Sequence, residues 1–411
     1  MYAGRTSVLK FAVAAALLLA CSGHAALAQS DSKPRFDIFV SAQESYENNV
    51  LRQSKGFPVQ PGFARDDFRL SPSLNVDILR PIGRQTLTLA GGVGYDFYRR
   101  NKLLERERIN LQGKVDLAIG PNCTPQLGVA YSRQQSDLSD FIALTTQRLR
   151  NREQILTFNG GIKCGGIVGL RPGVTVERST ARNSSFFRRT GNYNSTSVGL
   201  SLGYTSPTIG EVSLFGNYRR GFYPDRGRFI LGQRSIGDNV TVYATGLRLE
   251  REIGSRITGD ISVGYTRADP SIPGTRKFSG LSGSADLTVK VLEPLQVVIG
   301  YSRAVEQSNQ LDVSFTVNDS YNATASYVVG PQLLFTGGAA RTSRRLSNSL
   351  LLTPNPLGLS DKTTQVFGGV RYSPRGPISF SLNASRSSRN SDTRIFDYKA
   401  SAVTLGVNLN L

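Results

Sequence analysis

Residues Phe68 to Ile78 read F-R-L-S-P-S-L-N-V-D-I. The even positions, Phe68, Leu70, Pro72, Leu74, Val76 and Ile78, are all apolar, and the odd positions from Arg69 to Asp77 carry Arg, Ser, Ser, Asn and Asp. Side chains alternate sides along a strand, so one face of this stretch is greasy and the other carries charge and amide. At about 3.3 Å per residue, a strand of this length, tilted within a sheet, roughly crosses the hydrocarbon layer of a bilayer. Such a strand is the unit of a transmembrane β-barrel, apolar toward lipid and polar toward a lumen. A strand of a soluble sandwich alternates in the same way, so recurrence of the unit has to decide between them.

The unit recurs from Phe36 to the C-terminus with no break in composition, which makes residues 36–411 one domain. The outward parity passes through Ile38, Val40 and Ala42, then the opening stretch, then Leu87 to Phe97 and Ile109 to Ile119. It continues through Leu127 to Tyr131, Leu156 to Ile162, Val168 to Val176, Val198 to Tyr204, Val212 to Tyr218, Tyr243 to Leu249, Ile257 to Tyr265 and Leu281 to Val289. Val297 to Tyr301, Tyr321 to Tyr327, Leu333 to Ala339, Val366 to Tyr372, Ile378 to Ala384 and Val403 to Leu411 complete a count of eighteen. Tight connections with turn chemistry, such as Arg80-Pro81-Ile82-Gly83 and Pro374-Arg375-Gly376-Pro377, alternate with longer polar ones such as Glu47–Asp66, Ser136–Arg150, Gly221–Asn239 and Arg341–Lys362. Short turns on one side and long loops on the other characterise outer-membrane barrels, the short side being periplasmic. The expected fold is all-β: a single closed antiparallel transmembrane barrel of about eighteen strands.

The N-terminus reads as a targeting segment over residues 1–28. Arg5 and Lys10 form a positive region, Phe11 to Ala20 a short apolar one, and Ala26-Leu27-Ala28 a small-x-small cleavage site. The rival is lipoprotein processing before Cys21. Residues 29–35 form a short polar periplasmic lead. The formal charge is +19, which draws a chain toward nucleic acid, acidic lipid or an anionic polymer; export argues against nucleic acid. The only histidine, His24, lies in the targeting segment, so the exported chain has no imidazole for a Ser-His or Cys-His site or for a metal. No enzyme activity, metal or cofactor is expected.

The final strand ends Thr404-Leu405-Gly406-Val407-Asn408-Leu409-Asn410-Leu411 and resembles the terminal signal received by the barrel-assembly machinery, with Leu411 where an aromatic is usual. The opening of the mature chain carries a second resemblance. Phe36-Asp37-Ile38-Phe39-Val40-Ser41, Tyr46-Glu47-Asn48-Asn49-Val50-Leu51-Arg52 and Asp67-Phe68-Arg69-Leu70-Ser71-Pro72 are similar to the start of the second putative beta-barrel porin family of Gram-negative outer membranes. Members often accompany polysaccharide biosynthesis and export genes. The resemblance therefore implies an outer-membrane location and an envelope or exopolysaccharide role, with export components as partners.

Parity sorts the charge. Arg99, Arg133, Arg178, Arg220, Arg267, Arg303, Arg341 and Arg386 end the up-going strands on the lipid-facing parity, most of them two residues above an aromatic. The aromatics fit the outer interfacial girdle, and the arginines above them face headgroup phosphates, which in an outer membrane belong to lipopolysaccharide. Solvated loop bases are the plain alternative. Toward the lumen point Arg69, Lys114, Lys163, Arg171, Arg219, Arg248, Lys290 and Arg371, together with Asp77, Asp96, Asp116, Glu177, Glu250, Asp260 and Asp286. The near balance of sign predicts mid-barrel ion pairs over an anion-selective track. Arg226, Arg228 and Arg234 place further charge in a loop.

Two functions follow. One is a porin-like channel for polysaccharide or other polar solutes. The other is a scaffold barrel, plugged by its loops, that binds lipopolysaccharide or an anionic surface polymer. Loss of the targeting segment leaves Cys123 and Cys164 in an oxidising compartment, each in a tight turn on the periplasmic rim. A Cys123–Cys164 disulfide is expected; turn centres of level neighbouring hairpins lie about 10 Å apart, so one turn has to lean toward the other, which Gly165 and Gly166 permit.

Overall fold

A computed structural model describes residues 33–411, apart from 60, 121, 136–150, 227–237, 273–274, 309–312 and 349–359. The targeting segment, with Cys21 and His24, lies outside the described residues, as do most of the lead and Arg228 and Arg234.

Eighteen strands follow one another: β1 (Arg35–Glu47), β2 (Asp67–Ile82), β3 (Gln85–Tyr98), β4 (Arg106–Asp116), β5 (Cys123–Gln135), β6 (Arg152–Cys164), β7 (Gly169–Asn183), β8 (Tyr193–Ser206) and β9 (Gly210–Tyr223). The second half comprises β10 (Asp238–Ile253), β11 (Ile257–Pro270), β12 (Phe278–Leu292), β13 (Leu295–Gln307), β14 (Val313–Val329), β15 (Leu333–Asn348), β16 (Ser360–Tyr372), β17 (Ile378–Ser391) and β18 (Tyr398–Asn410). Each pairs antiparallel with its neighbours in sequence. The pairing of β1 with β18, from Phe39 opposite Asn410 to Glu47 opposite Ala402, closes the ring and leaves no sheet edge. No helix among the described residues is long and apolar enough to cross a membrane; the strands do so.

The parity expected from sequence is the parity observed. Leu70, Leu127, Leu200, Leu247, Val263, Leu281 and Leu405 are exposed on the outer face, whereas Ser41, Ser71, Thr157, Ser262 and Gln365 are buried on the inner one. A soluble monomer rarely exposes so continuous an apolar surface, and in lipid it is the favourable one. Cross-strand rings form a girdle toward the long-loop end: Tyr46 with Phe68 and Tyr301 with Tyr321, centroids 4.9 Å apart, and Tyr218 with Tyr243 at 5.4 Å. Phe36, Tyr204, Tyr327, Phe335 and Tyr372 are exposed near the opposite end.

Connections on the short side carry left-handed glycines where the chain reverses, for instance Gly83 (φ 63°) and Gly254 (φ 59°). Two boundaries differ from expectation. β4 stops at Asp116, so Leu117 and Ile119 belong to the turn, where Ile119 bridges Cys123, and Val168 precedes β7. In both cases a turn apolar residue happens to continue the strand's parity.

Cys123 and Cys164 form a disulfide, and neither hairpin has to lean. Cys123 opens β5 and Cys164 closes β6, and the two are register partners with Cα atoms 4.1 Å apart. The expected separation is too long because it counts both residues as turn centres, when they are the last rungs of one ladder.

Candidate functional site: the lumen and its rims

The inner wall is divided by height. Near the short-turn end lie the ion pairs that sequence places at mid-barrel. Lys114 Nζ is 2.9 Å from Asp116, Arg35 reaches Asp77 at 2.8 Å, and Arg248 Nε donates to Asp260 at 2.7 Å with Glu250 4.0 Å away. Glu211, at the foot of β9, gathers Lys163 and Arg171, the latter at 3.0 Å. Glu211 and Arg35 are inward-facing residues beyond those expected from sequence, although the outward parity of Val212 and Ile38 points both of them inward. Lys290 and Arg371 are exposed inward near the same end and make no ion pair among the described residues. The shift downward has a simple cause. Charged side chains cluster at the wet ends of the strands, while the middles carry Ser, Thr, Asn, Gln and Gly; of the charges assigned inward, Glu177 and Asp286 come nearest the strand middles.

Near the long-loop end, Arg69 lies opposite Tyr98, and Asp96 accepts a hydrogen bond from Ser71 Oγ at 2.7 Å and faces Arg108 at 3.9 Å. Asp361 is buried between Arg344 (2.9 Å) and Arg389 (2.7 Å). Asp67 accepts backbone N–H groups of Arg100 and Asn101, tying the β1–β2 connection to the β3–β4 connection over a small core of Leu51, Tyr98 and Leu104.

One element is invisible in the sequence. Above Arg303 the β13–β14 hairpin parts from β12, while β14 stays paired with β15 as far as Asn348, and its upper part leans across the mouth onto the inner faces of β7 to β11. Val305, Phe315 and Val317 are buried there against Ala181, Tyr193, Tyr223, Val240, Val242 and Ala268. From Val313 to Asn318 both parities are buried, which a strand with water on one side and lipid on the other cannot achieve. Polar contacts fix the lean. Arg219 donates to the Val305 carbonyl. Arg226, with no exposed surface, donates to the Val313 carbonyl (2.7 Å), the Thr190 carbonyl (3.0 Å) and the Ser308 carbonyl, pairs with Asp238 at 3.0 Å, and stacks over the Tyr223 ring 3.5 Å from its centroid. Ser314 Oγ donates to the same Asp238 carboxylate at 3.0 Å. Arg226, which the sequence shows only as further charge in a loop, is the pin of this hairpin.

The outer rim carries the eight arginines on the outward parity, in two states. Arg133 pairs with Glu107 at 2.6 Å, Arg267 with Asp269 at 2.8 Å, and Arg303 with Asp319 at 3.5 Å. Arg99, Arg178, Arg220, Arg341 and Arg386 are exposed and form no ion pair among the described residues.

The family model described as "Putative beta-barrel porin 2" matches residues 46–411, nearly the whole barrel. The chain belongs to this family. As a porin-family barrel it is a protein of the Gram-negative outer membrane. No curated protein sequence matches it. Solved structures similar to it include OccK2 (OpdF) of Pseudomonas aeruginosa, at 10% identity and a TM-score of 0.48, with 92% of this chain and 98% of that one covered. A BenF-like porin from Pseudomonas fluorescens Pf-5 follows at 11% identity and 0.46, over 92% and 99% of the two chains. OpdK of P. aeruginosa stands at 12% and 0.46 over the same shares. The porin-family lumen thus has three levels: charge pairs at the short-turn end, a hydroxyl and amide middle, and a mouth crossed by a pinned hairpin.

Proposed function

We propose that this porin-family barrel is a passive channel for polar solutes, polysaccharide segments among them, narrowed at the mouth by the β13–β14 hairpin. What supports this is the inner wall: an eighteen-strand ring is wide enough for an aqueous bore, and its mid-height lining is polar apart from Phe39, Phe215 and Phe367. Paired charges near the short-turn end cancel locally, which favours a weakly ion-selective bore.

The five exposed rim arginines are the lipopolysaccharide contact in this proposal. Each sits on the lipid parity at headgroup height with a guanidinium fork free to take a phosphate. The three paired ones are already neutralised and contribute less.

The hairpin across the mouth also favours a second function, the plugged scaffold. Proteoliposomes separate the two. A channel makes them swell in isosmotic sugars and amino acids at rates that fall with solute size. A folded barrel whose liposomes never swell is a scaffold.

A further inference from the structure

At mid-height three phenylalanines face the lumen: Phe39 on β1, Phe215 on β9 and Phe367 on β16, each half-exposed on an otherwise polar wall. Nothing apolar inside the barrel requires them there. The Phe367 ring lies flat on the wall over its register partner Gly338, where an added Cβ would come 2.8 Å from the ring tip.

The amides between them lie flat in the same manner. Asn75, Asn159 and Asn383 each stand directly opposite an inward glycine of the neighbouring strand, Gly92, Gly128 and Gly369. A Cβ at those glycines would sit 2.1, 2.3 and 2.1 Å from the respective Oδ1 atoms, closer than any real contact. The glycines therefore make room for the amide planes against the wall instead of across the bore. Asn159 and Asn383 make no side-chain hydrogen bond among the described residues, so donors and acceptors remain for whatever passes.

A flat aromatic face flanked by free amides and hydroxyls is complementary to one solute chemistry. A sugar ring presents a C–H face that packs on an aromatic ring and an equatorial rim of hydroxyls that need partners. Across β17 and β18 the register sets Phe367 level with Glu47, eight residues along β1 from Phe39, so the two rings stand roughly 30 Å apart in the sheet, a spacing that serves successive parts of an oligosaccharide and not one monosaccharide.

We propose that this mid-lumen band is a binding track for uncharged, polyhydroxylated solutes, with Phe39, Phe215 and Phe367 as stacking platforms and the wall amides as hydrogen-bonding partners. It rests on the channel function proposed above and gives that channel its preferred cargo chemistry.

The test uses the full barrel in planar bilayers, with maltotriose as probe. Polyethylene glycol of matching size and gluconate serve as comparisons. Maltotriose is expected to block the ion current more strongly than either. Replacing all three rings, Phe39→Leu, Phe215→Leu and Phe367→Leu, keeps apolar bulk but removes the stacking face; it should weaken the block, taken relative to each barrel's own open current, about fivefold or more. Gly128→Ala with Gly369→Ala should push two amides inward and lower the conductance, with heat-shifted gel mobility reporting that the barrel still closes. A conducting barrel whose current responds to maltotriose no more than to the glycol, or whose triple variant blocks as well as wild type, overturns the track alone. A closed barrel that never conducts overturns the channel and the track together.

Discussion

Arg226 is the residue on which the mouth depends. A guanidinium with no exposed surface is tolerated because carbonyls, a carboxylate and a ring face surround it. Removing one partner of such a pair leaves the other buried and uncompensated, at a cost of about 3–5 kcal/mol. Arg226→Ala is therefore expected to release the hairpin locally while the ring stays closed; conductance and its fluctuations should rise, as single-channel recording would report. Unchanged conductance would mean that the hairpin does not bound the bore. Cys123 and Cys164 are a second residue-scale case. Their loop spans 41 residues, so chain entropy gives the bond about 4 kcal/mol. Cys123→Ser with Cys164→Ser should lower the unfolding temperature while leaving the barrel assembled, and labelling of denatured, unreduced wild type should find neither thiol. Arg226 was not legible in the sequence, because an arginine in a polar loop carries no local sign of burial. Glu211 is legible by parity, since it immediately precedes the outward-facing Val212.

At the scale of elements, alternation made the strands readable: each buries one side chain in two, and a period of two survives any exchange of Leu for Val or Ser for Thr. The lean of β13–β14 breaks that code. Val305 and Val317 keep the lipid parity along their strands, yet they lie buried with β7 to β11; nothing local marks where a hairpin turns inward. The charges misjudged in height failed for a related reason, since parity gives the face but not the level. The rim arginines make an element-scale prediction. Changing Arg99, Arg178, Arg220, Arg341 and Arg386 together to Gln should reduce co-purifying lipopolysaccharide and leave ionic conductance nearly unchanged. The same change at the paired Arg133, Arg267 and Arg303 should reduce it less. Equal losses in the two sets would assign lipid contact to the rim as a whole and not to the free guanidinium groups.

For the whole molecule, closure is the organising fact: β1 meets β18, no strand edge remains, and the outer face is apolar between two aromatic girdles. Such a ring holds together in detergent until heated, so unheated protein should migrate faster on a gel than boiled protein. Its strand count and membrane class follow from the sequence because they depend only on periodicity and on the segregation of loop lengths. What fills the bore depends on three-dimensional contacts, the pinned hairpin above all. The most direct measurement is therefore the current through single barrels reconstituted in a planar bilayer and shown by gel shift to be closed. Discrete, long-lived conductance steps with weak ion selectivity are predicted; a bilayer that stays silent with closed barrels inserted would contradict the channel.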